Sequence, residues 1–414
     1  MNEDKDDDED VQNGTEVPRP ADNPWLFRFA ALTAVATFAL IGIGGLVTSK
    51  GAGMAVPDWP TSYGYNMFLL PISMWQGGIF YEHTHRLAAS VVGMLTAILA
   101  GWIWARGTTG GVRRAGLCAI VLTLGLLGVR RQEVFFTAAA LAFVLIVFSA
   151  VRLVRMTQPL RWSAAIAFGA VVVQGVLGGL RVTAMKDEIG IVHGMLAQLF
   201  LTLLALIAML TTRWWENMFG IREPIEPSPK ARRMFLWVTV LIFLQLGLGA
   251  TMRHQHAGLA VPDFPLAHGR AYPRTDAASV AAYNSRRLDV RDPKPVTAAH
   301  IHVHMAHRAM AVTVLAGVFG CVWTLRKQLG RAHLFTHLAW VWFGLVCVQA
   351  LLGAVTVWSN KAADVATAHV LTGAAGLVLG ALLTVCLHRL TVARINAHAL
   401  VQLGQDEAAV RKDE

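Results

Sequence analysis

Four histidines and one glutamate are the residues of this 414-residue chain best placed to do chemistry. His85 and His193 lie at the ends of apolar segments in the first half, and His307 and His369 do so in the second. Two imidazoles from facing helices can clamp a planar macrocycle through its iron. A single intramembrane histidine is more often a hydrogen-bonded structural group. Glu82 stands three residues before His85, and on a helix the two would share a face. A carboxylate at a membrane surface is costly without a partner or a task, so Glu82 is the candidate for proton chemistry. The position three before His307 is His304, so only the first half has such a carboxylate.

An internal repeat raises the standing of the four histidines. Ala52-Gly53-Met54-Ala55-Val56-Pro57-Asp58-Trp59-Pro60 returns as Ala257-Gly258-Leu259-Ala260-Val261-Pro262-Asp263-Phe264-Pro265. His85-Arg86 matches His307-Arg308, Gln174 to Gly178 matches Gln349 to Gly353, and His193 matches His369. Self-similarity in this order predicts two related helical bundles. Each half holds an even number of spans, so the copies are parallel, not inverted. His85 and His193 are 108 residues apart but His307 and His369 only 62, so the first half carries 46 more. That excess is about one helical hairpin.

The elements that must position these residues follow from composition. The chain is 55% hydrophobic and 15% charged, with a mean hydropathy of +0.49. That balance predicts an all-α polytopic membrane protein. Apolar segments fall near 26–47, 87–105, 115–129, 134–152, 162–182, 190–211, 234–252, 302–325, 334–357 and 365–388. The expected organisation is a disordered cytoplasmic tail (1–22), a first bundle (23–211) with the inserted hairpin at about 112–158, and a linker (212–233). A second bundle (234–390) with a long outer loop (253–301) and a frayed cytoplasmic tail (391–414) complete it. The run 115–129 is short, and Arg130-Arg131 at its end opposes the topology rule, so 115–152 crosses as a hairpin or stays shallow.

The net charge of +10 comes from short basic clusters between apolar runs, which are topology signals and not a nucleic-acid face. They put the N-terminus in the cytoplasm and both long loops outside. Cys118, Cys321, Cys347 and Cys386 lie in apolar runs without metal-ligand spacing. Arg86 and Arg308 are cations on the outer side. They fit fork-like pairing with a carboxylate such as a haem propionate, or contact with headgroups. Gly93, Gly178, Gly179, Gly194, Gly353 and Gly373 leave room for a flat ligand or serve close helix packing. The AVPD-aromatic-Pro loops read as lids or as interfacial anchors through Trp59 and Phe264. His254, His256, His300, His302 and His304 read as solvated loop residues, with metal binding or a redox relay as the alternative for His304.

These motifs together resemble the haem A synthase family of cytochrome oxidase assembly proteins. The likeness rests on Gly51 to Pro60, Glu82-His83-Thr84-His85-Arg86, Gln174 to Gly179, His193 to Gln198, His307-Arg308 and His369, and covers about residues 25–390. It implies a membrane enzyme that oxidises a pyrrole-ring methyl group of haem O to a formyl group. By resemblance, His85 and His193 flank the substrate haem O with Arg86 beside them, and Glu82 is catalytic. His307 and His369, with Arg308, then hold a haem B cofactor. Implied partners are a protohaem farnesyltransferase, a membrane electron acceptor or donor, and the lipid bilayer, with a homo-oligomer left open; nucleic acid is excluded. The absence of a transit peptide favours a bacterial plasma membrane. The first outer loop lacks the cysteine pair of some members. Rival readings are a non-catalytic dihaem b-type electron carrier and a haem transporter. A carboxylate beside one haem only favours the enzyme.

Overall fold

The computed structural model describes residues 23–129, 132–155, 158–218, 227–287 and 295–413. The expected N-terminal tail and Arg130-Arg131 therefore lie outside the described residues. Among those described, ten helices are long and apolar enough to cross a membrane. The first half contains α1 (Pro24–Ser49), α2 (Gly77–Gly107), α3 (Gly110–Gly128), α4 (Gln132–Val154), α5 (Pro159–Ala184) and α6 (Asp187–Leu210). A short α7 (Arg213–Asn217) lies in the linker. Then come α8 (Pro229–His254), α9 (Ala277–Ser285), α10 (Ala298–Leu329), α11 (Leu334–Trp358) and α12 (Ala363–Asp413).

Local chemistry sets where the helices start. Asn23 caps α1 by accepting from Trp25 N at 3.0 Å, with Pro24 in the first turn, and Ser228 caps α8 ahead of Pro229. Thr297 and His300 form a reciprocal capping box that opens α10. Within the spans, hydroxyls bond back to their own helix, as Thr33 does to Phe29 O and Thr96 to Val92 O at 2.8 Å each. No polar hydrogen of these groups is then offered to lipid.

In the first half α1, α2, α5 and α6 pack together, with the α3–α4 pair laid outside against α2 and α5. Leu26, Val92, Leu99, Phe168, Leu204 and Ile207 fill that bundle. In the second half α8, α10, α11 and α12 do the same around Phe235, Val318, Leu325 and Trp342. The halves meet where α1 and α6 pack on α12 and α6 on α8. Both members of the inserted hairpin qualify by length and hydropathy as spans.

Two boundaries and the burial of two histidines differ from expectation. His300, His302 and His304 belong to α10 rather than to a surface loop, because the capping box starts the helix before the apolar run does. His304 is 2% exposed and His254 is also buried, so neither is solvated. The last helix continues past Arg389 to Asp413, where the sequence offers helix formers and no proline.

Candidate functional site

The four histidines expected to be ligands share one setting, and each ring faces a glycine on a neighbouring span. A Cβ at Gly44 on α1 would stand 3.0 Å from His85 Cε1, and one at Gly178 on α5 would stand 3.3 Å from His193 Cε1. The second half repeats this with Gly249 on α8 against His307 (3.3 Å) and Gly353 on α11 against His369 (3.2 Å). Only glycine lets the helices close to that distance with an imidazole between them. The Nδ1 atom of all four rings is buried without a hydrogen-bond partner, while His307 Nε2 lies 3.3 Å from Gln245 Nε2.

His307 and His369 bring their ring centroids to 6.5 Å at an interplanar angle of 72°. Two metal–nitrogen bonds of about 2 Å each, plus the two half-rings, fill that span. His85 and His193 lie within electrostatic range of each other. Glutamines hold the backbone behind the ligands. Gln174 Nε2 donates to His193 O at 2.8 Å, and Gln245 Nε2 donates to His307 O at 3.0 Å. The donor set and the glycine-lined approach therefore fit a haem iron in each half.

The two outer loops expected to be lids are built alike. Asp58 accepts from Tyr63 N at 2.6 Å and Gly64 N at 2.8 Å, while Asp263 accepts from His268 N at 2.6 Å and Gly269 N at 2.8 Å. In both, the last two residues have positive φ, which the glycine adopts without strain. Both contain a cis peptide before proline, at Trp59-Pro60 and Phe264-Pro265. Burial acts to raise Asp58, but the amides of Gly64 and Tyr63 and the Thr61 hydroxyl outweigh it and hold the carboxyl below its ordinary value. Asp263 is lowered in the same way, against its burial, by Gly269 and His268.

Arg86 and Arg308 fasten these lids. Arg86 donates to Asp58 O (2.7 Å), Thr61 O (3.0 Å) and Val56 O (2.8 Å). Arg308 donates to Asp263 O (2.6 Å), Leu266 O (2.9 Å) and Val261 O (3.3 Å), at the repeat-equivalent positions. The forks expected to meet a propionate are thus spent on loop carbonyls. Glu82, 3% exposed, joins the same lock. Its Oε1 receives Arg86 Nη2 at 2.7 Å and its Oε2 receives Val56 N at 2.9 Å. Glu82 and His85 lie three apart on α2, as expected, while the carboxylate itself contacts Arg86 one turn along the helix.

Sequence reasoning overlooked Gly44 and Gly249, along with Gln245, Arg181 and Arg253. One signal was available. Gln245 and Gly249 have the same four-residue spacing as Gln174 and Gly178 and as Gln349 and Gly353.

Comparison with known proteins gives the chain's relatives. A family model described as cytochrome oxidase assembly protein matches residues 134–383. A protein named heme A synthase from Geobacillus kaustophilus is 22% identical over 352 residues, which cover 82% of this chain and 84% of that protein. The heme A synthase of Shouchella clausii is 24% identical over 252 residues, 60% of this chain and 65% of the relative. That of Rhodopseudomonas palustris is 27% identical over 197 residues, 47% and 50%. Against the last two, the chain spans between half and just under two thirds of the relative's length.

Proposed function

Because the chain belongs to the cytochrome oxidase assembly protein family, we propose that it is a haem A synthase, a multi-pass oxidoreductase that converts a pyrrole-ring methyl group of haem O to a formyl group. The observation that carries this reading is the set of four histidine–glycine contacts, two in each half, with His307 and His369 set 6.5 Å apart. In this reading His307 and His369 ligate haem B, and His85 and His193 flank the substrate haem O. Haem iron supplies redox chemistry that no side chain of the chain can supply.

The protein's part is positioning, exclusion of water and proton handling. Gly44, Gly178, Gly249 and Gly353 set how closely each ring approaches its neighbouring span. The lids, tied by Arg86 and Arg308, shield the outer ends of the pairs from solvent. Glu82 is the catalytic carboxylate in this proposal. Its two oxygens are engaged while the lid is down, so proton transfer goes with release of Val56 N or Arg86. The same engagement favours a second reading, a dihaem b-type electron carrier in which Glu82 only locks the lid.

In this reading the N-terminus is cytoplasmic and the lids lie outside a bacterial plasma membrane, an orientation supported by basic clusters such as Arg113-Arg114 and Arg232-Arg233. Haem O arrives from a protohaem farnesyltransferase, and electrons pass to or from a membrane partner. The test is pigment extraction from membranes of a host that supplies haem O. Haem A accumulates if the enzyme reading holds. Retained haem without haem A selects the carrier.

A further inference from the structure

We propose that Arg181 and Arg253, which both lie at the seam between the halves, bind the side-chain carboxylates of the macrocycles, Arg181 for the first-half site and Arg253 for the second. This rests on the haem reading above and gives the carboxylates a different place from the Arg86 and Arg308 forks.

Each arginine lies within a helical turn of a glycine that faces a candidate ligand: Arg181 follows Gly178 on α5, and Arg253 follows Gly249 on α8. Arg181 threads between the first lid and α6. A Cβ at Gly53 would be 2.9 Å from its Nη1, and one at Gly190 would be 2.8 Å from its Nε. The same Gly190 would meet His254 Cε1 of the second half at 2.6 Å, so Arg181 sits directly on the seam. Arg253 crosses it, donating to Gly45 O and to Ser49 Oγ (2.7 Å) on α1. Arg181 is within electrostatic range of His85, His193 and Arg253, and Arg253 is within range of His369.

Neither arginine is demanded by the repeat. Thr356 occupies the position equivalent to Arg181, and Thr48 the position equivalent to Arg253. The two cations are therefore additions to a duplicated frame, and they converge. Placing two guanidinium groups within electrostatic range of each other in a shielded seam is costly unless anions offset them. Arg181 Nε is buried without a hydrogen-bond partner. Asp187 and Glu82 lie within its electrostatic range, but the oxygens of Glu82 are already engaged by Arg86 and by Val56 N. A planar fork beside an iron-ligand pair suits a carboxylate carried on the ligand's own edge.

The test titrates the full-length protein, purified in neutral detergent, with haem b and with haem b dimethyl ester, and follows the Soret band. The free acid is expected to bind about tenfold to a hundredfold tighter, the scale of a charge-assisted hydrogen bond. Arg253→Gln is expected to erase that preference at the His307–His369 site, and Arg181→Gln at the His85–His193 site, with Arg→Lys variants restoring part of it. Equal binding of acid and ester by the unmodified protein overturns the inference and leaves the haem reading intact. This comparison needs no variant to fold. A preference that survives both Gln substitutions also overturns it, and returns the carboxylates to Arg86 and Arg308. So does loss of co-purified phosphatidylglycerol from the variants with the preference unchanged, which assigns the arginines to a lipid headgroup. No Soret change with either compound overturns the haem reading itself.

Discussion

Arg86 Nη2 donates to Glu82 Oε1 at 2.7 Å, one turn apart on α2, and this pair ties the first lid to the helix that carries His85. The second half has no carboxylate in its lid lock, because His304 stands where Glu82 would be, and Arg308 is joined there by Trp358 Nε1, which donates to Phe264 O at 3.1 Å. Glu82 therefore has a structural duty that is separable from proton transfer. Glu82→Gln keeps an acceptor oxygen but loses the charge, and is expected to retain haem and folding while haem A production stops. Glu82→Ala leaves a buried guanidinium short of a partner and is expected to cost ~3 kcal/mol as well, read as a lower thermal midpoint. Normal haem A production by Glu82→Gln would reduce Glu82 to a lid lock.

The ligand assignment makes a site-resolved expectation. His307→Ala or His369→Ala removes the six-coordinate haem B spectrum of the second half, and His85→Ala or His193→Ala leaves that spectrum in place while abolishing turnover. A reduced-minus-oxidised difference spectrum of purified variants checks it. An unchanged spectrum in both second-half variants would mean the ligands are other residues.

The glycines facing the rings predict a steric effect that propensity alone would reverse. Gly353→Val puts branched carbon where a Cβ already stands 3.2 Å from His369 Cε1. It is expected to abolish haem B binding although the helix itself gains from losing a glycine. Gly93→Ala is the control, since nothing lies within 4 Å of its Cβ, and it is expected to be neutral or to stabilise by about 0.5–1 kcal/mol. Haem content per protein, measured alongside expression, separates the two. Equal haem content in both variants would remove the glycines from the site.

The histidines, the lids and the number of helices were legible because each leaves a one-dimensional trace: a repeated motif, a spacing or an apolar run. The spacing excess between His85 and His193 located the α3–α4 hairpin. Other features are written only in three dimensions. Gly44 and Gly249 lie at equivalent places, each in a Gly-x-Gly eight residues before the repeat that opens at Ala52 and Ala257, but only the packing of α1 on α2 and of α8 on α10 shows that each meets a histidine ring. Arg86 looked available for a carboxylate, but the lid folds back and presents three carbonyls to it. Arg181 and Arg253 are far apart in sequence and on unlike helices of the repeat, so only packing of the halves brings them together. His304 was misplaced because apolar periodicity starts later than the capping box that begins α10.

The Asp-centred lids predict a dependence on acid with a definite sign. Asp58 and Asp263 are held below the ordinary value of 3.8 by amide N–H donors that prefer the carboxylate to the acid. A group lowered on folding contributes stability that is fully present above its unfolded value and is lost as pH falls through the lowered one. The lids are therefore expected to stay closed at pH 5 and above and to loosen only below about pH 4. Asp58→Asn replaces an acceptor oxygen with an amide NH2 that cannot accept from Gly64 N or Thr61 Oγ1, so the first lid should be loose at every pH while the second keeps the acid threshold. Hydrogen exchange read by mass spectrometry on peptides spanning Val56–Gly64 and Val261–Gly269, corrected for the intrinsic pH dependence, distinguishes the lids. Protection in the first lid of Asp58→Asn that matches the unmodified protein from pH 6 to pH 3 would show that Arg86 alone holds it closed.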